Sequence, residues 1–229
     1  MTAEEWDVCT VPHNMLRALC ATLPRDTLHS LPRIRTPDRK LRLFAVAMGR
    51  CLRWVYKHEW HRLALDATEE VADDEGREGE VRRSLFQLHE DMKRPAHPEN
   101  PDLDQVIWNA ALPHEFWEAT EALMVACVRA LRTAWGNRTP PVSAQSDVVR
   151  EIFGNPFRPV AFNPDWRTSD VMLLAQGIYA ERAFDRMPIL ADALQDAGCD
   201  SDALLDHLRD AVATHVRGCW ALDLVLEKA

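Results

Sequence analysis

Three residues near the C-terminus combine reactive side-chain types with a regular spacing. His215, Cys219 and Asp223 recur at every fourth position, so on an α-helix they share one face within about 80°. A thiolate beside an imidazole is a nucleophile pair, and a His/Cys/Asp set can also ligate a metal. The competing reading is structural, with His215 and Asp223 bonded near the ends of a buried helix and Cys219 packed as a small hydrophobe. Catalytic dyads seldom sit on one buried helix, so the structural reading carries more weight. The sequence assigns neither a metal nor a cofactor.

Three further groups of residues have the types for binding. Arg158, Arg186 and Arg217 can frame an anion pocket. Their neighbours Glu181, Arg182, Asp185 and Asp192 point instead to Arg–carboxylate pairs that pin a loop to helices. His58-Glu59-Trp60-His61 has only two residues between its histidines, so it lacks the zincin spacing and reads as a solvated face. Arg39, Arg42, Arg50, Arg53 and Lys57 fall in a stripe roughly 80° wide on one helix, at 100° per residue. Such a stripe suits an acidic protein partner, nucleic-acid phosphates or an acidic segment of the same chain. No phosphate loop, dinucleotide fingerprint, nucleophile elbow or EF-hand loop is present.

The elements that would position these residues are helical. Leu41, Phe44, Ala45, Met48, Leu52 and Val55 mark the buried face of a helix over 38–56, opened by Pro37. A second helix over 61–73 turns acidic, and further helices fit 81–92 and 114–135, separated by a proline-punctuated link over 94–113. Asp147 to Phe153 reads as a short helix closed by Gly154. The run Gly154-Asn155-Pro156-Phe157-Arg158-Pro159 through Asn163-Pro164 must be extended or turned. Thr168 caps a helix through Ile178. Met187 to Ala197 stops at Gly198, and Asp200 or Ser201 caps the helix that follows. That helix bears Asp202, Asp206 and Asp210, which would repel DNA. The final helix is expected over 212–226, buried nearly all round.

Composition agrees with an all-α protein. Of 229 residues, 47% are hydrophobic while only two are Tyr, and strand-like runs are few. No stretch approaches the ~18 apolar residues that span a bilayer. The acidic start, Met1-Thr2-Ala3-Glu4-Glu5-Trp6, does not resemble a signal peptide. Cys9, Cys20, Cys51, Cys127, Cys199 and Cys219 form no C-x-x-C pair, so the expected setting is a reducing cytoplasm. A net charge of −9 disfavours nucleic acid as the partner of the whole chain. The charge is also segregated: residues 25–62 hold ten Lys/Arg against three Asp/Glu, and residues 63–124 hold five against sixteen.

Several phrases resemble an uncharacterised bacterial protein family abundant in planctomycetes. They are Glu4-Glu5-Trp6, Lys40-Leu41-Arg42-Leu43-Phe44-Ala45, Ile152-Phe153-Gly154-Asn155-Pro156-Phe157-Arg158-Pro159, Ala183-Phe184-Asp185-Arg186-Met187-Pro188 and His215-Val216-Arg217-Gly218-Cys219-Trp220. The resemblance spans most of the chain and implies no activity. Family members carry a cysteine cluster after Leu-Phe-Ala. This chain has Val46-Ala47-Met48-Gly49-Arg50-Cys51 there, so any metal held by that cluster in relatives cannot be held the same way here.

The expected architecture is an irregular multi-helix bundle with a proline-rich extended loop. It divides into residues 1–135 and 142–229. The expected role is a non-enzymatic interaction or regulatory module, with a protein partner or a second copy of the chain and no membrane. The rival is a thiol- or metal-dependent enzyme using Cys219 and His215, and nucleic-acid binding through the 38–57 helix is a third option. If the stripe recruits an acidic partner, changing Arg42, Arg50 and Arg53 to Glu abolishes capture in a pull-down while helicity is retained.

Overall fold

Helices form wherever capping chemistry and apolar periodicity agree. The computed structural model describes residues 1–22, 35–51, 59–74, 79, 83 and 143–228. The expected helices over 81–92 and 114–135, the 94–113 link, and His58, Arg53 and Lys57 lie outside that set. The described residues are all-α: α1 (Ala3–Val8), α2 (Pro12–Thr22), α3 (Arg35–Cys51), α4 (Glu59–Asp73), α5 (Ser143–Phe153), α6 (Ser169–Glu181), α7 (Met187–Asp196), α8 (Asp202–Arg209) and α9 (Trp220–Leu226). Two 3-10 turns, Pro164–Trp166 and Phe184–Arg186, flank α6. None of the described helices is long and apolar enough to cross a membrane.

The chain forms two units, Met1–Cys9 with Val149–Ala229, and Thr10–Val148. This differs from the division at 136–142 read from the sequence. The first nine residues join the C-terminal part because their partners are there, as described below.

In the Thr10–Val148 unit, α3 packs on α4. Leu43, Phe44, Val46, Ala47 and Met48 are all buried, so α3 is enclosed over a wider arc than its periodicity implies. Arg50 donates to both oxygens of Glu69, at 2.6 and 2.8 Å, and to Asp66 at 2.9 Å. Arg39 donates to Asp73 at 3.0 Å. Two cations of the basic stripe are therefore engaged by the acidic face of the next helix.

In the other unit, α6, α7, α8 and α9 share one core. Val171, Ile178, Met187, Leu190, Leu194, Leu204, Leu208, Leu222 and Val225 are fully buried there. Thr168 accepts from the Val171 N–H, capping α6 as expected. Gly198, at φ +87°, closes α7. The Cys199 N–H reaches Leu194 O and the Gly198 N–H reaches Gln195 O, a Schellman pattern that requires a left-handed residue. Arg167 donates to the carbonyls of Leu224 and Val225 and so closes the C-terminus of α9.

One expectation fails. The final helix begins at Trp220, not at residue 212. Gly218 adopts φ +91°, which interrupts a right-handed helix. Asp210 instead accepts from the N–H groups of Val212 and Ala213 and folds residues 210–213 into a turn. Val212 is 92% exposed. His215, Cys219 and Asp223 therefore do not share a helix face.

Arg50→Ala leaves Glu69, whose side chain is 1% exposed, without its guanidinium. The expected loss of stability is about 3 kcal/mol, read as a lower urea midpoint with unchanged slope. Charge reversal at Arg50 consequently perturbs folding as well as any partner binding.

Candidate metal centre

Although the helix face does not exist, the fold still brings His215 close to Cys219 and adds two residues that spacing did not indicate. Ligand atoms of Glu151, His207, His215 and Cys219 all lie within 4.8 Å of one another. Each comes from a different element. Glu151 is in the last turn of α5 and His207 in the last turn of α8. His215 lies in the irregular segment between α8 and α9, and Cys219 is the residue that caps α9. All four belong to the same unit.

The distances define a compact polar centre. Glu151 Oε1 is 3.2 Å from His215 Nδ1 and Oε2 is 3.3 Å from His207 Nε2. His207 Nε2 is 3.2 Å from Cys219 Sγ. The Val216 N–H also donates to Glu151 Oε1, at 3.2 Å. The His207 ring is 5.1 Å from that of His215 and 4.9 Å from that of Trp220. Gly154, at φ +63°, lies so close to Trp220 that an added Cβ would stand 3.1 Å from Trp220 Cγ.

The electrostatics of the centre follow from burial and these partners. Burial alone pushes the Glu151 carboxyl up, but the hydrogen-bonded imidazoles of His207 and His215 hold it down at about 2. Cys219 is fully buried, which drives its thiol well above the ordinary range, and the Glu151 carboxylate pushes it the same way. A metal-free Cys219 is thus a neutral thiol at pH 7, the opposite of an activated nucleophile. A divalent cation held here would favour the deprotonated thiol instead.

Two imidazole nitrogens, one carboxylate and one thiol are a ligand set for a first-row divalent ion. On a tetrahedral zinc with bonds of about 2.0–2.3 Å, neighbouring ligand atoms stand about 3.3–3.6 Å apart. The close pairs here already approach that spacing. Calcium and magnesium require shells of oxygen ligands, and this centre supplies a single carboxylate. His215 Nε2 is buried and has no hydrogen-bond partner among the described residues.

Access to the centre is restricted. A cleft of about 430 Å³ lies beside it, lined by Trp6, Arg150, Gly154, Asn155, His207 and Trp220 among others. His207 is the only member of the four that borders this cleft. A catalytic zinc keeps a coordination position open, whereas a structural one is closed by four protein ligands. This arrangement matches the closed form.

The remaining sequence candidates are dispersed. Asp223 is buried one turn into α9, where its N–H donates to Cys219 O, and it is not among the four clustered residues. Arg158 faces Glu4 and Asp7, Arg186 faces Glu181, and Arg217 stacks on the Tyr179 ring at 4.7 Å. These three arginines have separate partners. Arg42 is half-buried in α3.

No family model matches the chain, and no curated protein or solved structure matches it either.

Mass-spectrometric mapping after iodoacetamide treatment checks the state of Cys219. It should stay unmodified in the native protein and become alkylated only on unfolding. Prompt native alkylation at Cys219 would restore the nucleophile reading.

Proposed function

We propose that the C-terminal unit is a metal-binding module that holds one zinc-class divalent ion. The ion is bound by Glu151, His207, His215 and Cys219 and serves to stabilise structure. The observation that carries this reading is the convergence of four ligand atoms of suitable type within 4.8 Å, contributed by four separate elements. Charge supports it as well, since one carboxylate and one thiolate balance a divalent cation. A closed shell at the junction of α5, α8 and α9 ties together segments that have few regular backbone bonds between them, notably residues 210–219.

Two other readings have less support. An enzyme using Cys219 as nucleophile needs an accessible thiol of lowered pKa, and this thiol is sealed and raised. A partner surface on the basic stripe loses Arg39 and Arg50 to Asp73, Asp66 and Glu69.

Elemental analysis and titration of the chelator-treated chain with zinc test the proposal. The expected stoichiometry is one zinc per chain. His207→Ala, His215→Ala and Cys219→Ser should each weaken binding by at least about tenfold, as ligand loss does, whereas Asp223→Asn leaves it intact. Zinc at one hundred times its Kd should stabilise the fold by about 2.7 kcal/mol. Binding should weaken as pH falls, because protons compete for the Cys219 thiolate, whose pKa burial raises. Failure of the unfractionated chain to take up any zinc in competition with a chromophoric chelator would remove the proposal.

A further inference from the structure

The N-terminal segment is held by residues adjoining the metal centre. Its helix α1 has six residues, far below the ~12–15 at which an isolated helix is even marginal. It carries a capping box, in which Thr2 accepts from the Glu5 N–H and the Glu5 carboxylate accepts from the Thr2 N–H. Such a cap contributes about 1 kcal/mol, too little to form the helix alone. The rest comes from docking.

Among the described residues, the hydrogen bonds that dock α1 come from residues 150 to 158. Arg150 donates to the carbonyls of Trp6 and Cys9, at the end of α1. Asn155 Nδ2 donates to Ala3 O at 3.1 Å and to Asp7 at 2.8 Å. Trp6 is fully buried, with its ring edge-on to Phe157 at 5.9 Å. The pairs of Arg158 with Glu4 and Asp7 are exposed and add little.

This seat shares its foundations with the metal centre. Arg150 and Glu151 are consecutive, so the same turn of α5 offers one side chain to α1 and the next to the four-residue cluster. The loop after α5 is linked to the cluster through Trp220, which lies against Gly154, follows Cys219 in the chain and has its ring 4.9 Å from that of His207. An ion drawing Glu151, His207, His215 and Cys219 together therefore fixes both supports of the seat. Without it, four polar groups are left to satisfy one another in a buried space, and the irregular 210–219 segment loses its main tether.

We infer that Met1–Cys9 is a metal-dependent strap, seated when the Glu151–His207–His215–Cys219 centre is filled and released when it is emptied. The inference rests on the metal-binding reading above. It adds a conformational output to what would otherwise be a passive staple. Metal occupancy becomes legible at the N-terminus as the burial or release of Trp6 and the α1 backbone.

Hydrogen–deuterium exchange on the full chain, followed by mass spectrometry, tests this in the chelated form and with one equivalent of zinc. Amides of residues 3–9 should exchange about tenfold faster without metal, while peptides from 171–194 change little. In Arg150→Ala or Asn155→Ala the strap should exchange fast in both forms although one zinc still binds. If one zinc binds and the 3–9 amides exchange alike in both forms, the strap is overturned and the metal site stands. Equal loss of protection across 3–9 and 171–194 also overturns it, because the strap would then only report unfolding of the whole unit. If no zinc binds, both readings fail.

Discussion

A single buried carboxylate organises the C-terminal unit. Glu151, with a side chain 6% exposed, meets two imidazoles, a backbone N–H and a thiol. Leaving such a charge buried without partners would cost several kcal/mol. Every element that supplies a partner is thereby constrained: α8 must end where His207 faces inward, and the chain beyond it must return so that His215 and Val216 reach the carboxylate. Cys219 must then cap α9 with its sulfur turned toward the same point. The left-handed conformation of Gly218 lets the chain make that last turn, at the expense of the longer helix its composition suggested.

The helical class and much of the local punctuation were legible in the sequence, because they depend on neighbouring residues. Thr168 as a cap, Gly198 as a stop and the non-helical Gly154–Asn163 run each follow from interactions within a few positions. The opposition of α3 and α4 was one of three solutions open to a basic stripe beside an acidic segment, and Arg39 and Arg50 take it. The overextended last helix has a local cause: residues 212–217 are compatible with a helix by propensity, and Asp210 accepts from the Val212 and Ala213 N–H groups, but the chain goes no further than a turn there and Gly218 reverses the backbone sign before Trp220.

The candidate site was half legible, and partly for the wrong reason. His215 and Cys219 were paired by a helical spacing that does not occur; they meet through the tertiary course of the chain. Glu151 and His207 were missed because their partners lie 64 and 12 positions away, beyond any local period. A faint signal did exist. Glu151 is a carboxylate set between Val148-Val149 and Ile152-Phe153, where burial without a cationic or hydrogen-bonding partner would be costly.

Arg150 clasps Cys9 at the point where the chain first leaves this unit, and the chain re-enters it at Val149. The other unit is thus an insertion, in chain order, between the strap and Arg150, Asn155 and Phe157, which hold it. In chain order the strap is separated from its seat by about 140 residues, Thr10–Val148. At about 5–20 residues per second, making that segment takes roughly 7–28 s. The contacts of Arg150 and Asn155 with α1 can therefore form only after that whole intervening segment has been made, so the unit bearing the centre is completed by residues far apart in the chain.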